Sequence, residues 1–207
     1  HVVVSADLAG KTYWIDPTRD VEQGDLGSRD PLDFRLGLPV AASSRRLVDI
    51  PYPAPAQPEV DVGQHIRIGE RAGEYSADFV VVTDYRGLRA DGMRVDIRSE
   101  GAGAMGRKYL EYMRGFYDGI LQLHPPRISD ASAGAIARTT ERYRLGWNKE
   151  ADGDVFAILL FQMSDWMPVL KQDSRISPLA LGGPRYARQT VRTEVENGWS
   201  LRDEAEE

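Results

Sequence analysis

Val60-Asp-Val-Gly-Gln-His-Ile-Arg-Ile68, with Asp78-Phe-Val-Val-Val-Thr-Asp-Tyr85 a short step later, decides the fold of this chain. Val60, Val62, His65/Ile66 and Ile68 follow a period of two, which predicts a strand with one buried face. Phe79-Val-Val-Val-Thr83 is rich in β-branched side chains that suit a pleated surface. Gly69-Glu-Arg-Ala-Gly-Glu74 between them has turn composition, so the two runs are expected to pair antiparallel.

Reading outward toward the C-terminus, residues 88–99 fit neither period well and lean to helix. Residues 104–120 predict the clearest helix, because Met105, Tyr109, Tyr112, Met113, Phe116 and Ile120 fall three or four apart. Such a stripe can line a ligand cleft, but it is read here as a helix face packed on a sheet. Residues 134–145 and 154–163 predict a hairpin joined through Glu150-Ala-Asp-Gly-Asp154, with Asp152-Gly153 as its turn signal. That acidic loop lacks the later ligands and closing glutamate of an EF-hand. Val191–Trp199 predicts a last strand, with Asn197-Gly198 as a further turn. The expected class is mainly β (α+β), a sandwich-like domain with one packed helix.

Reading outward toward the N-terminus, Pro51-Tyr-Pro-Ala-Pro-Ala-Gln-Pro58 holds four prolines in eight residues. This favours an extended polyproline connector over a peptide-recognition ligand and marks a boundary. Arg46–Ile50 fits a short strand. From Arg19 to Val40 the text is polar and turn-rich, but Leu26, Leu32, Phe34, Leu36 and Leu38 supply apolar anchors, so an ordered connection is expected. Its carboxylates, with Asp16, Asp20, Glu22, Asp25, Asp30 and Asp33, could hold calcium; a solvated acidic loop is the simpler expectation.

Residues 1–18, His-Val-Val-Val-Ser-Ala-Asp-Leu-Ala-Gly-Lys-Thr-Tyr-Trp-Ile-Asp-Pro-Thr, read as a β-hairpin. If Ala6 pairs with Lys11 around Asp7-Leu8-Ala9-Gly10, His1 stands directly opposite Asp16 on one face. A carboxylate beside an imidazole is the orienting half of a nucleophilic triad, since it fixes the tautomer and stabilises the imidazolium. An N-terminal histidine and an Asp-Pro-Thr turn after a strand also occur without any function.

The string His-Val-Val-Val…Tyr-Trp-Ile-Asp-Pro-Thr resembles the His–Asp segment of the transglutaminase-like (papain-like thiol) superfamily. There it commonly reads Asn/Asp-His-hydrophobic…Trp/Tyr-hydrophobic-Asp-Pro-Thr. It is most similar to bacterial proteins in which a domain of unknown function, DUF3857, precedes a transglutaminase-like core that is followed by a β-rich region. Looser matches continue in order through Gln23-Gly-Asp-Leu26, Tyr85-Arg-Gly87…Ala90-Asp91…Arg94, Tyr109-Leu-Glu-Tyr112, Glu141-Arg-Tyr-Arg144 and Arg175-Ile-Ser-Pro-Leu179.

The resemblance makes residues 1–18 the closing hairpin of the catalytic core, and the chain's own punctuation sets 19–58 as a connecting segment ending in the proline stretch and 59–207 as a β-rich C-terminal domain. The resemblance also implies His1 as the catalytic histidine, Asp16 as the triad aspartate, and Trp14 as a shield against water, unless Trp14 is only a core residue at a strand end. The nucleophilic cysteine would lie upstream on a helix N-terminus, where the dipole lowers a thiol pKa. This chain has no cysteine, does not begin with Met and starts inside a strand, so it reads as a fragment that is inactive alone. Its substrate would be a protein or peptide bound through the missing core, and its setting a bacterial periplasm or other exported location. Protease, cross-linker, deamidase and inactive relic all remain open.

Composition narrows the other classes. Hydrophobic residues make up 42% of the 207, enough for a packed core. A net charge of −6 argues against a nucleic-acid binder, and the basic spots at Arg45-Arg46 and Arg185–Arg192 are ordinary for exposed surfaces. No apolar run approaches the roughly 20 residues of a membrane span. No phosphate-binding or dinucleotide motif is present, and no cofactor is expected. With three histidines and no cysteine, no metal site is expected either; His65 and His124 read as surface or core-edge residues. The alternative to the enzyme reading is a non-catalytic β scaffold or interaction module, with Trp147, Trp166 and Trp199 as a stacking face for glycan or cell-envelope partners. Oligomeric state is not legible.

Overall fold

The computed structural model describes residues 1–30, 32–71, 74–131, 135–147, 160–161, 176 and 185–196. In chain order the elements are β1 (Val4–Leu8), β2 (Lys11–Ile15), β3 (Leu36–Gly37), β4 (Val48–Asp49), β5 (Val60–Arg71) and β6 (Glu74–Arg86). Then follow α1 (Gly87–Arg114), β7 (Leu121–Gln122), β8 (Arg127–Ala131), β9 (Ile136–Trp147) and β10 (Ala187–Val195).

The two runs that open the sequence reading pair antiparallel as expected, with Val62 opposite Thr83 and Ile66 opposite Phe79. They form the centre of a six-stranded sheet of order β10-β5-β6-β9-β7, with β8 also paired to β9. β9 is antiparallel to β6 (Val81 opposite Glu141), whereas β10 is parallel to β5 (Val191 opposite Gln64). The period of two puts Val60, Val62, Ile66, Ile68, Ala77, Phe79, Val81, Tyr143 and Leu145 on one buried face, and Met113, Tyr117, Ile120 and Phe161 join the same core. The protein is therefore mainly β, an α+β fold with one helix packed on a sheet. Among the described residues the helix, rather than a second large sheet, covers that face.

The helix starts earlier and stops earlier than its apolar stripe predicts. Residues 88–99 are helical and run into 104–114, but Gly101 breaks the geometry with φ 79 and ψ 158. The chain leaves the helix at Gly115, and Phe116 and Tyr117 donate back to the Met113 carbonyl. The stripe outlasts the helix because Phe116, Tyr117 and Ile120 reach the same core from the turn that follows. Strand β8 was not anticipated. β9 matches the expected strand at 134–145, but most of its proposed partner at 154–163 lies outside the described residues, as does Asp152-Gly153. β10 starts and ends earlier than the expected 191–199, and Asn197-Gly198 is outside the described residues. The expected strand at 46–50 shrinks to Val48–Asp49, paired with Leu36–Gly37.

The first eighteen residues do form a hairpin, but the register differs from the expected one. Leu8 pairs with Lys11 and Ala6 with Tyr13, so Ala6 does not face Lys11. The reason is the turn. Ala9 (φ 50) and Gly10 (φ 79) are both left-handed and make a two-residue connection, whose twist matches that of the strands. Asp7 and Leu8 are thereby drawn into the strand. The shift by two keeps each side chain on its expected face but removes the direct opposition of His1 and Asp16. The last ladder pair on that side is Val4 with Ile15.

Candidate functional site

Strand β2 delivers Trp14, half-buried, and ends one residue before Asp16. Asp16 begins the turn that Pro17 enforces. Its Oδ1 accepts hydrogen bonds from the Thr18 backbone N–H (3.0 Å) and hydroxyl (2.6 Å). These bonds, with lesser help from Arg19 and the His1 α-ammonium, hold the carboxyl below its usual range. Asp16 Oδ2 accepts no hydrogen bond among the described residues; its nearest charged neighbour is Arg19 Nε at 3.9 Å. His1 is exposed, and its ring lies against Phe34 with centroids 5.1 Å apart. No hydrogen bond or ion pair joins His1 to Asp16. The structure thus brings the two to the same end of the hairpin without direct contact.

The acidic connection is not simply solvated. Glu22 is nearly enclosed, between Arg29 at 2.9 Å and Arg19 at 3.6 Å. Burial raises its carboxyl pKa against the pull of the two arginines. Asp25 closes its own turn by accepting from the Gly27 and Ser28 amides. Asp33 pairs with Arg35. Asp30 accepts from the Leu88 amide at 2.6 Å, at the first turn of α1. Among the described residues no cluster of carboxylates and histidines is arranged to hold a metal ion. Beneath the connection, Arg94 of α1 bridges Asp91 (2.8 Å) and Asp130 of β8 (2.7 Å). A cleft of about 550 Å³ opens beside this bridge, between residues 20–23, α1 and β8.

A third polar group lies under the helix. Glu141 is buried on the helix-facing side of β9, and burial pushes its carboxyl up to about 7, although the Tyr143 hydroxyl donates to it. Tyr85 and Tyr109 face the same region, and burial raises both phenols. Gln64 stands on the same cross-strand row, one strand beyond Val81, with both side-chain polar atoms buried and unpaired among the described residues. The sequence reading did not assign Glu141 a site. The signal was there: alternation across Ile136–Trp147 puts Ala137, Thr139, Glu141, Tyr143 and Leu145 on one side.

The tryptophan face of the alternative reading falls largely on undescribed ground. Trp166 and Trp199 lie outside the described residues, and Trp147 is known only as the last residue of β9. Among the described residues no helix is long and apolar enough to cross a membrane. Comparison of the chain with protein-family models, curated proteins and solved structures finds no match.

Proposed function

We propose that this chain carries the histidine and aspartate of a transglutaminase-like Cys-His-Asp centre, with the thiol supplied by sequence upstream of His1. The observation that supports it best is the state of Asp16. One carboxylate oxygen is fixed by two bonds from Thr18, and the other is left without a donor at the hairpin end shared with His1. A carboxylate so oriented can accept the imidazole Nδ1–H and hold the opposite nitrogen toward a thiol. A modest rearrangement of the residues before Val4, which lie outside the ladder, would bring the ring within reach.

In this reading the imidazole removes the thiol proton, and the thiolate attacks an amide or ester carbonyl of a protein or peptide. The imidazolium returns the proton to the leaving amine or alcohol. Water or an acceptor amine, deprotonated by the same imidazole, then releases the acyl group and regenerates the thiol. Trp14 would limit water beside the pair. By the same resemblance the protein is exported in a bacterium.

The test uses the longer protein that contains the thiol, with a peptide amide as acyl donor. His1→Ala is expected to abolish acyl transfer. Asp16→Ala is expected to slow it on the order of 10²–10⁴-fold, with an unchanged unfolding midpoint. Wild-type rates in either variant would sink the assignment.

A further inference from the structure

The sheet face opposite α1 carries side chains that the proposed acyl transfer does not use. Here the register aligns charged residues in rows across the strands. Arg188, Asp61, Asp84 and Arg138 form one row, closed at both ends by ion pairs: Arg188 Nε with Asp61 at 2.9 Å, and Arg138 Nε with Asp84 at 2.6 Å. The rows nearer the other end are different. His65, Val80 and Arg142 make one, and Arg67, Asp78 and Arg144 make the next. Between them lies a depression of about 270 Å³, floored by the backbone of β6 and β9 and walled on one side by Leu123.

The charges around this depression do not cancel. Arg144 is matched by Asp78 at 3.0 Å. Glu194 is shared among His65 (3.1 Å), Arg67 (3.0 Å) and Arg192 (3.0 Å). Arg142 is exposed, and no carboxylate pairs with it among the described residues. Among the described residues Asp78 and Glu194 thus serve three arginines and a histidine and leave Arg142 unmatched, in a chain whose net charge is −6. Arg142 and Arg144 stand two residues apart on one face of β9, about 7 Å from each other, and Arg67 faces them from β5 across β6, so their N–H forks border the same depression. Those forks match closely spaced oxyanions, and each such charge-assisted pair is stronger than a neutral hydrogen bond.

We propose that this depression is a binding site for a small ligand bearing clustered oxyanion groups, phosphoryl or carboxylate, with Arg142 as its principal contact and Arg67 and Arg144 flanking it. The volume suits a group of this size rather than a large organic body. The site is independent of His1 and Asp16.

The experiment is calorimetric titration of the full chain with tripolyphosphate and, separately, with citrate, at fixed ionic strength. Saturable one-site binding is expected for at least one of them. The tighter of the two identifies the phosphoryl or the carboxylate class. Arg142→Ala should weaken it about tenfold or more, the loss of one charge-assisted contact, and Arg142→Glu should abolish it. Arg107→Ala, a charge removal on the helix side of the molecule, should leave it unchanged. Arg142 is exposed and has no carboxylate partner among the described residues, so unfolding midpoints of its variants should match the parent. Absence of saturable binding to both anions would overturn the site, as would equal losses in the Arg107 and Arg142 variants.

Discussion

Glu141 is a carboxylate placed where a sheet residue is normally apolar, and its consequence is a pH-dependent fold. The groups that face it are Tyr85, Tyr109 and Tyr143, all neutral across the physiological range, and Gln64 on the same cross-strand row. Burial, offset in part by the Tyr143 hydroxyl, therefore sets its titration, at about 7 in the fold and near 4.5 when unfolded. Between those values the folded chain binds the extra proton, so stability falls as pH rises through that window. The full difference is about 3 kcal/mol by the linkage relation. Glu141→Gln keeps an acceptor for the Tyr143 hydroxyl and removes the titration. The difference between wild type and variant in urea midpoints is expected to be small at pH 4.5 and to grow in favour of the variant by pH 8. A constant difference across that range would show that Glu141 is not a buried acid. Alternation made the facing of Glu141 legible in the sequence. Its burial was not, because period two says which face a residue shares and not what covers that face.

At the scale of elements, the readings that succeeded rest on side-chain period, and those that slipped rest on backbone angles. Strands β5, β6 and β9 were legible because their inward residues carry the pattern. The hairpin register was missed because Ala9 adopts φ 50, a conformation its side chain does not announce. The sequence shows a weak helical lean over 88–99 and a clear helix only from 104, and Gly101 and Gly103 lie where those two halves join. Gly101 has φ 79 and ψ 158, a region open in practice only to glycine, and nothing lies within 4 Å of where its Cβ would sit. The cost of Gly101→Ala is therefore pure backbone strain, expected at about 1–3 kcal/mol in chemical unfolding. Gly92→Ala is the control, for it too has open space around it and stands at an ordinary helical position. It should be neutral or slightly stabilising. Equal effects of the two would mean that the break at Gly101 is not maintained in solution.

For the molecule as a whole, the question is how the segment before the sheet is tied to it. Two apolar anchors of that segment, Leu32 and Ile50, are buried, of which the sequence reading chose only Leu32. The polar ties were less legible, because each joins residues far apart in the chain: Asp30 with Leu88, and Arg94 with Asp130. Asp30 has the most consequence. Arg86, the residue before the helix, contributes no side-chain cap, and the first turn has no acidic residue. The carboxylate of Asp30 fills that role from 58 positions away. It fits because Gly87 has no side chain; a Cβ there would overlap it. An anion at this place also complements the helix dipole. Asp30→Ala is expected to cost about 1 kcal/mol, as a lost cap does. If the tie links the two regions, hydrogen exchange should quicken both in the first turn of α1 and across residues 19–30, before the sheet opens. Asp30→Asn keeps an acceptor and should restore most of that protection. Faster exchange confined to the helix turn would mean that Asp30 caps α1 without holding the connection, and that Leu32 and Ile50 fix it by burial alone.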